Sequence, residues 1–158
     1  MKSWRRVMSK LLVLPLAIVG VVGSPGVASA AVTVPPGAAG HTCSEYQYVN
    51  GLQHYWQACA WADYRYVWFT ANFGNTGSSD WRPDTVYVNY IKSGVSYTCY
   101  LGWWQEGSFN VPANSVTSTP RSACVLTRVP GAYAADVHIN DSNPNYGVTA
   151  HSPTLQVQ

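Results

Sequence analysis

A chain of 158 residues with 13% aromatic and only 10% charged side chains has room for one domain and excludes a disordered or strongly charged protein. Its formal net charge of +2 changes sign once the N-terminus is set aside. Four of the nine Lys and Arg, and none of the seven Asp and Glu, precede residue 31, which leaves five against seven, a net of −2. The five remaining cations (Arg65, Arg82, Lys92, Arg121, Arg128) are scattered along the chain. That argues against nucleic acid as a partner, because its binders neutralise phosphate with a basic stripe.

Residues 1–30 read as a secretory signal peptide. Lys2, Arg5, Arg6 and Lys10 form a basic start, Leu11 to Val22 is apolar, and Ala28-Ser29-Ala30 fits a small-residue cleavage site. The apolar run falls short of the roughly 20 residues that span a bilayer, so no membrane span is expected. Residues 31–42 (AVTVPPGAAG and the two that follow) read as a flexible leader, and 43–158 as a single domain. The part after the signal keeps twenty aromatics (eleven Tyr, three Phe and six of the seven Trp) and all four cysteines. An even cysteine count in a secreted chain implies two disulfides, and spacings of 16, 40 and 25 lack the C-x2-C pair of a zinc site.

Asn50-Gly51 lies between two β-prone runs, Cys43–Val49 and Leu52–Cys59, and predicts a hairpin with a two-residue turn. That register places Cys43 opposite Ala58. One bulge brings it opposite Cys59, so the first bridge is expected to be Cys43–Cys59. Residues 59–77 (CAWADYRYVWFTANFGNTG) then read mostly as one long strand ending in a turn. Val67, Phe69, Ala71 and Phe73 share the inward parity, and Tyr64, Tyr66, Trp68 and Thr70 the outward one.

After a polar loop at 74–80, Asp84–Ile91 is a strand, Lys92-Ser93-Gly94 a turn, and Val95–Trp104 a further strand. In that last strand Tyr97, Cys99, Leu101 and Trp103 share one face, and Tyr100 and Trp104 the other. Ser115–Thr127 supplies one or two strands broken by Pro120, and Cys124 pairs with Cys99 if these strands are antiparallel neighbours. Tyr133–Asn140 is a strand with Tyr133, Ala135, Val137 and Ile139 inward. Thr154–Val157 is a short last one. Seven to eight strands with no amphipathic helix predict an all-β fold: an antiparallel β-sandwich of immunoglobulin-like or jelly-roll-like character.

The chemistry-bearing residues do not form a catalytic motif. G-x-S-x-G, H-E-x-x-H and a P-loop are absent, and His41, His54, His138 and His151 are far apart. Seven carboxylates admit a glycosidase pair in principle, with Glu106 beside Trp103-Trp104 the most suggestive. Asp141-Ser142-Asn143-Pro144-Asn145 resembles the start of a calcium loop but lacks its Gly and its distal Glu, and reads as ordinary turns. No enzyme activity, metal or cofactor is therefore expected. The surplus lies in the outward aromatics. If Val67, Phe69, Cys99 and Leu101 face inward, then Tyr66, Trp68, Tyr87, Tyr100 and Trp104 face outward and form one flat patch. Such a patch suits the C–H faces of sugar rings, or the aromatic hot spots of a protein partner. The expectation is a secreted, non-enzymatic protein that binds polysaccharide or another extracellular surface.

The signal, the small size and the two disulfides look like secreted actinobacterial proteins. The Cys43-x15-Cys59 loop, with its aromatic interior, resembles the first loop of the tendamistat-type α-amylase inhibitors of streptomycetes, small β-sandwiches with two sequential disulfides. The resemblance implies an alternative role as an inhibitor of a secreted hydrolase. The family's Trp-Arg-Tyr triplet is missing here, where Tyr48-Val49-Asn50-Gly51 stands, so no inhibitory residue carries over.

Overall fold

The computed structural model describes residues 30–49, 51–142 and 146–158. The signal sequence and most of the Asp141–Asn145 loop lie outside them. Among the described residues thirteen strands run in chain order: β1 (Val32–Val34), β2 (Gly40–Cys43), β3 (Gln47–Val49), β4 (His54–Ala62), β5 (Tyr66–Asn75), β6 (Thr85–Lys92), β7 (Val95–Tyr97), β8 (Trp103–Gln105), β9 (Ser115–Ser118), β10 (Val125–Thr127), β11 (Gly131–Asp141), β12 (Tyr146–His151) and β13 (Leu155–Val157). One 3-10 turn, Arg121–Ala123, precedes β10.

The strands form two sheets packed as a sandwich, each built on a long central antiparallel pair. In one sheet β6 pairs with β11; β7 and β8 share the far side of β6, and β12 and β13 share the far side of β11. In the other, β4 pairs with β5; β2 and β3 share one flank, β9 and β10 the other. Each flank is thus a strand broken in two. Short, interrupted edges offer little backbone for another chain to pair with. The breaks are why thirteen strands appear where seven or eight are expected.

The inward parities are as the alternation predicts. Val67, Phe69, Ala71 and Phe73 from β5 meet Val86 and Val88 from β6 and Tyr133, Ala135, Val137 and Ile139 from β11, all buried. Phe69 stacks on Tyr90 across the interface at 5.0 Å.

Several expectations are corrected. The long strand starts at Tyr66, because Asp63 accepts the N–H groups of Arg65 (2.8 Å) and Tyr66 (2.7 Å) and turns the chain between β4 and β5. Tyr64 therefore sits in a turn. Val49 pairs with His54, so four positions rather than two separate the paired ends of β3 and β4, and Asn50 of the expected turn lies outside the described residues. The bulge lies in the first strand, at Ser44–Tyr46: four steps from Cys43 to Gln47 face three from Trp56 to Cys59. Ser44 covers it by donating its N–H to Ala58 O and accepting Ala58 N–H at its Oγ. Cys43 and Cys59 then stand opposite each other and are bridged.

Residues 32–34, read as leader, form β1, which pairs in parallel with β13 and buries Val34. Cys99 and Cys124 are bridged, but not as neighbours in one sheet. Cys99 sits in the turn between β7 and β8, while Cys124 precedes β10 in the opposite sheet, so this bond ties the two sheets together. No helix among the described residues is long and apolar enough to cross a membrane.

Candidate functional site

The five aromatics expected to share a patch fall into three places. Tyr66 and Trp68 lie on the outer face of the β4–β5 sheet. Tyr87 lies on the outer face of the β6–β11 sheet, and Tyr100 on a turn at its edge. Trp104 points inward, pairs with the buried Val86 and packs edge-on against Phe109 at 5.5 Å.

The reason is a loop inside the segment expected to be one strand. Tyr97 pairs with Tyr90 and Trp103 with Tyr87, so six steps along the chain match three along β6. Three residues are looped out. An odd number reverses the side-chain parity, so Trp103, not Trp104, faces out.

Trp103 and its surroundings make a groove of about 620 Å³ lined by Tyr87, Asn89, Thr98, Tyr100, Gly102 and Trp103. Trp103 stacks on Tyr87 at 5.5 Å and remains 53% exposed; Tyr100 is 95% exposed. The turn carrying Tyr100 is fixed from below. Asn89 Oδ1 accepts the N–H of Cys99, Gly102 N–H donates to Cys99 O, and Val88 N–H donates to Gly102 O. Gly102 is required there, because a Cβ would stand 2.3 Å from the Val88 carbonyl oxygen. The disulfide anchors the same turn from the other sheet. Beyond Tyr87 the polar row continues through His138, 5.9 Å away ring to ring. Asp136, beside Asn89 in the ladder, accepts from Ser96 Oγ and lies 3.1 Å from His151.

The opposite face is built differently. His41, Trp61 and Trp68 are in register across β2, β4 and β5 and stack in a row, His41 on Trp61 at 4.5 Å and Trp61 on Trp68 at 6.1 Å. The Arg121 guanidinium then covers Trp68 at 4.0 Å. Trp68 is flanked on both sides by the protein's own groups, and its ring is poorly placed to receive a ligand's face. Trp61 Nε1 donates to Thr70 Oγ1, which donates to Asn72, so the row is also hydrogen-bonded to the sheet. At the far end of this sheet Tyr46, Tyr48 and Tyr55 form a second cluster, with Tyr46 edge-on to Tyr55 at 5.1 Å.

The candidate catalytic groups do not converge. Glu106 is exposed in a turn. His138 faces outward and its Nδ1 meets Thr149 Oγ1 at 2.8 Å. Among the described residues no three His, Cys, Asp or Glu gather as metal ligands. Asp141, at the head of the calcium-like segment, accepts the buried Trp81 Nε1–H at 2.7 Å.

No protein-family model, curated protein or solved structure matches this chain.

Sequence reasoning missed Trp103. The adjacent Trp103-Trp104 pair carried the signal, since neighbouring strand residues face opposite sides and one of the two must point out.

Proposed function

We propose that this is a secreted, non-enzymatic binding protein that holds carbohydrate in the groove between Tyr87, Tyr100 and Trp103. The observation that carries the reading is the open Trp103 ring, 53% exposed and, among the described residues, stacked on no aromatic but Tyr87. An amphipathic ring surface gives a sugar an apolar face to lie on. Asn89 and Thr98 stand beside it for the hydroxyl edge. The groove is held by a disulfide and backbone hydrogen bonds, so little order has to be gained on binding. Two disulfides suit an oxidising, extracellular setting.

The test is co-sedimentation with insoluble neutral polysaccharides such as cellulose and chitin. Trp103→Ala combined with Tyr100→Ala is expected to weaken binding by thirtyfold or so, the loss of about 2 kcal/mol typical of one anchor ring. Trp61→Ala is expected to leave it unchanged. Binding that survives the double substitution rejects the groove as the site.

A second reading rests on the tip of the same turn. Tyr100 and Leu101 are 95% and 65% exposed on a disulfide-anchored projection, a shape that suits insertion into a protein partner such as a secreted hydrolase. Stoichiometric inhibition of an amylase or protease, lost on Tyr100→Ala, would select this reading over the first.

A further inference from the structure

The cations that are scattered in sequence are not scattered in space. Three of the five Lys and Arg beyond residue 30 meet at the turn between β4 and β5. Arg65 is in the turn. Arg121 Nη2 lies 2.8 Å from Asp63 Oδ2, and Arg128 Nη1 donates to Asp63 O at 2.6 Å. Along the groove at this turn Arg65 and Arg121 face one carboxylate, Asp63, a local balance of two against one on a chain that carries −2 after residue 30. Asp63 is also saturated: Oδ1 takes two backbone N–H groups and Oδ2 takes Arg121.

An open groove of about 650 Å³ runs along this turn, lined by Tyr64, Arg65, Tyr66, Arg121, Ser122 and Val125. The Arg65 guanidinium lies over the exposed Tyr64 ring at 5.1 Å, and Arg121 over Tyr66 at 5.0 Å. Arg65 and Arg121 are thus each placed over a tyrosine ring. Among the described residues Arg65 forms no salt bridge.

We propose that this groove is a second binding site, for an acidic polysaccharide whose sugar rings carry carboxylates. A guanidinium offers the planar fork that pairs with a carboxylate, and the tyrosines offer the surface for the ring that bears it. The charge complements a polyanion, and the aromatic floor favours a ring over an acidic peptide. The site shares no residue with the Tyr87–Trp103 groove and lies on the other sheet, so its success or failure is read separately from that proposal.

The experiment is calorimetric titration of the oxidised protein at low ionic strength with polygalacturonate, its methyl-esterified form, polyglutamate and a DNA oligonucleotide. Binding to polygalacturonate is expected, with about a tenfold loss for Arg65→Gln and for Tyr64→Ala, and no change for Trp103→Ala. Arg65 is exposed, so Arg65→Gln leaves the fold intact; unchanged thermal unfolding checks this. Esterified polymer binding as tightly as the acid, polyglutamate or DNA binding as tightly as polygalacturonate, or Arg65→Gln binding like the parent would each overturn the proposal.

Discussion

Arg128 Nη1 donates to the backbone carbonyl oxygen of Asp63 at 2.6 Å, and the same guanidinium reaches four more carbonyls. These belong to Val34, Pro35, Ala38 and Gln158. One side chain therefore joins the chain segment after β1, the β4–β5 turn and the last residue. Only an arginine has the donors and the fixed fork to do so. Arg128→Ala leaves partly buried carbonyls without a donor and is expected to lower the unfolding free energy by about 3 kcal/mol. Arg128→Lys restores the charge but not the fork, and is expected to recover less than half of that. Urea denaturation measures both. A lysine variant as stable as the parent would show that charge, not geometry, matters here.

The adjacent tryptophans separate packing from binding. Trp104 lies against the core beside Phe109, while Trp103 stands on the outer face. Trp104→Ala opens a cavity and is expected to cost about 3 kcal/mol, near the low end for a tryptophan because the ring is only half-buried. Trp103→Ala is expected to cost under about 1 kcal/mol, the ring-pair contribution with Tyr87, while weakening the proposed glycan binding. Thermal unfolding beside co-sedimentation gives both readouts. Similar stability losses for the two variants would contradict the reversed parity.

How far the fold could be read from sequence follows from this pair. The central strands β5, β6 and β11 were legible because each keeps an unbroken alternation: Val67 to Phe73, Val86 to Val88, Tyr133 to Ile139. Alternation says nothing once residues loop out. Thr98 and Tyr100 are as β-prone as their neighbours, so the break between β7 and β8 left no mark in composition, and the site shifted from Trp104 to Trp103. The disulfide partners were legible, but the sheets they join were not, because pairing Cys99 with Cys124 fixes a distance and not a layer. Asp63 carried a usable signal, an acid that caps its own turn, in the one place where the long strand had to be cut. The meeting of Arg65, Arg121 and Arg128 had none, since it depends on the order of strands across the β4–β5 sheet.

His54 gives the fold a pH dependence of known sign. Its imidazole lies flat on the buried Trp81, ring centroids 4.7 Å apart and planes within 4°. Burial pushes its pKa below the ordinary histidine value, and the nearby charge of Asp141 opposes that shift without cancelling it. The unfolded chain therefore takes up the proton more readily than the folded one. Stability is full above about pH 6.5, the unfolded value, and declines as pH falls from there toward the lowered folded pKa. His54→Gln removes the titrating group, so the variant's denaturation midpoint is expected to change less between pH 8 and pH 5 than the parent's. The two proteins differ in no other side chain, so the difference between the two curves isolates His54. Parallel curves would mean that the ring accepts its proton in place, stacked on Trp81, at no cost to the fold.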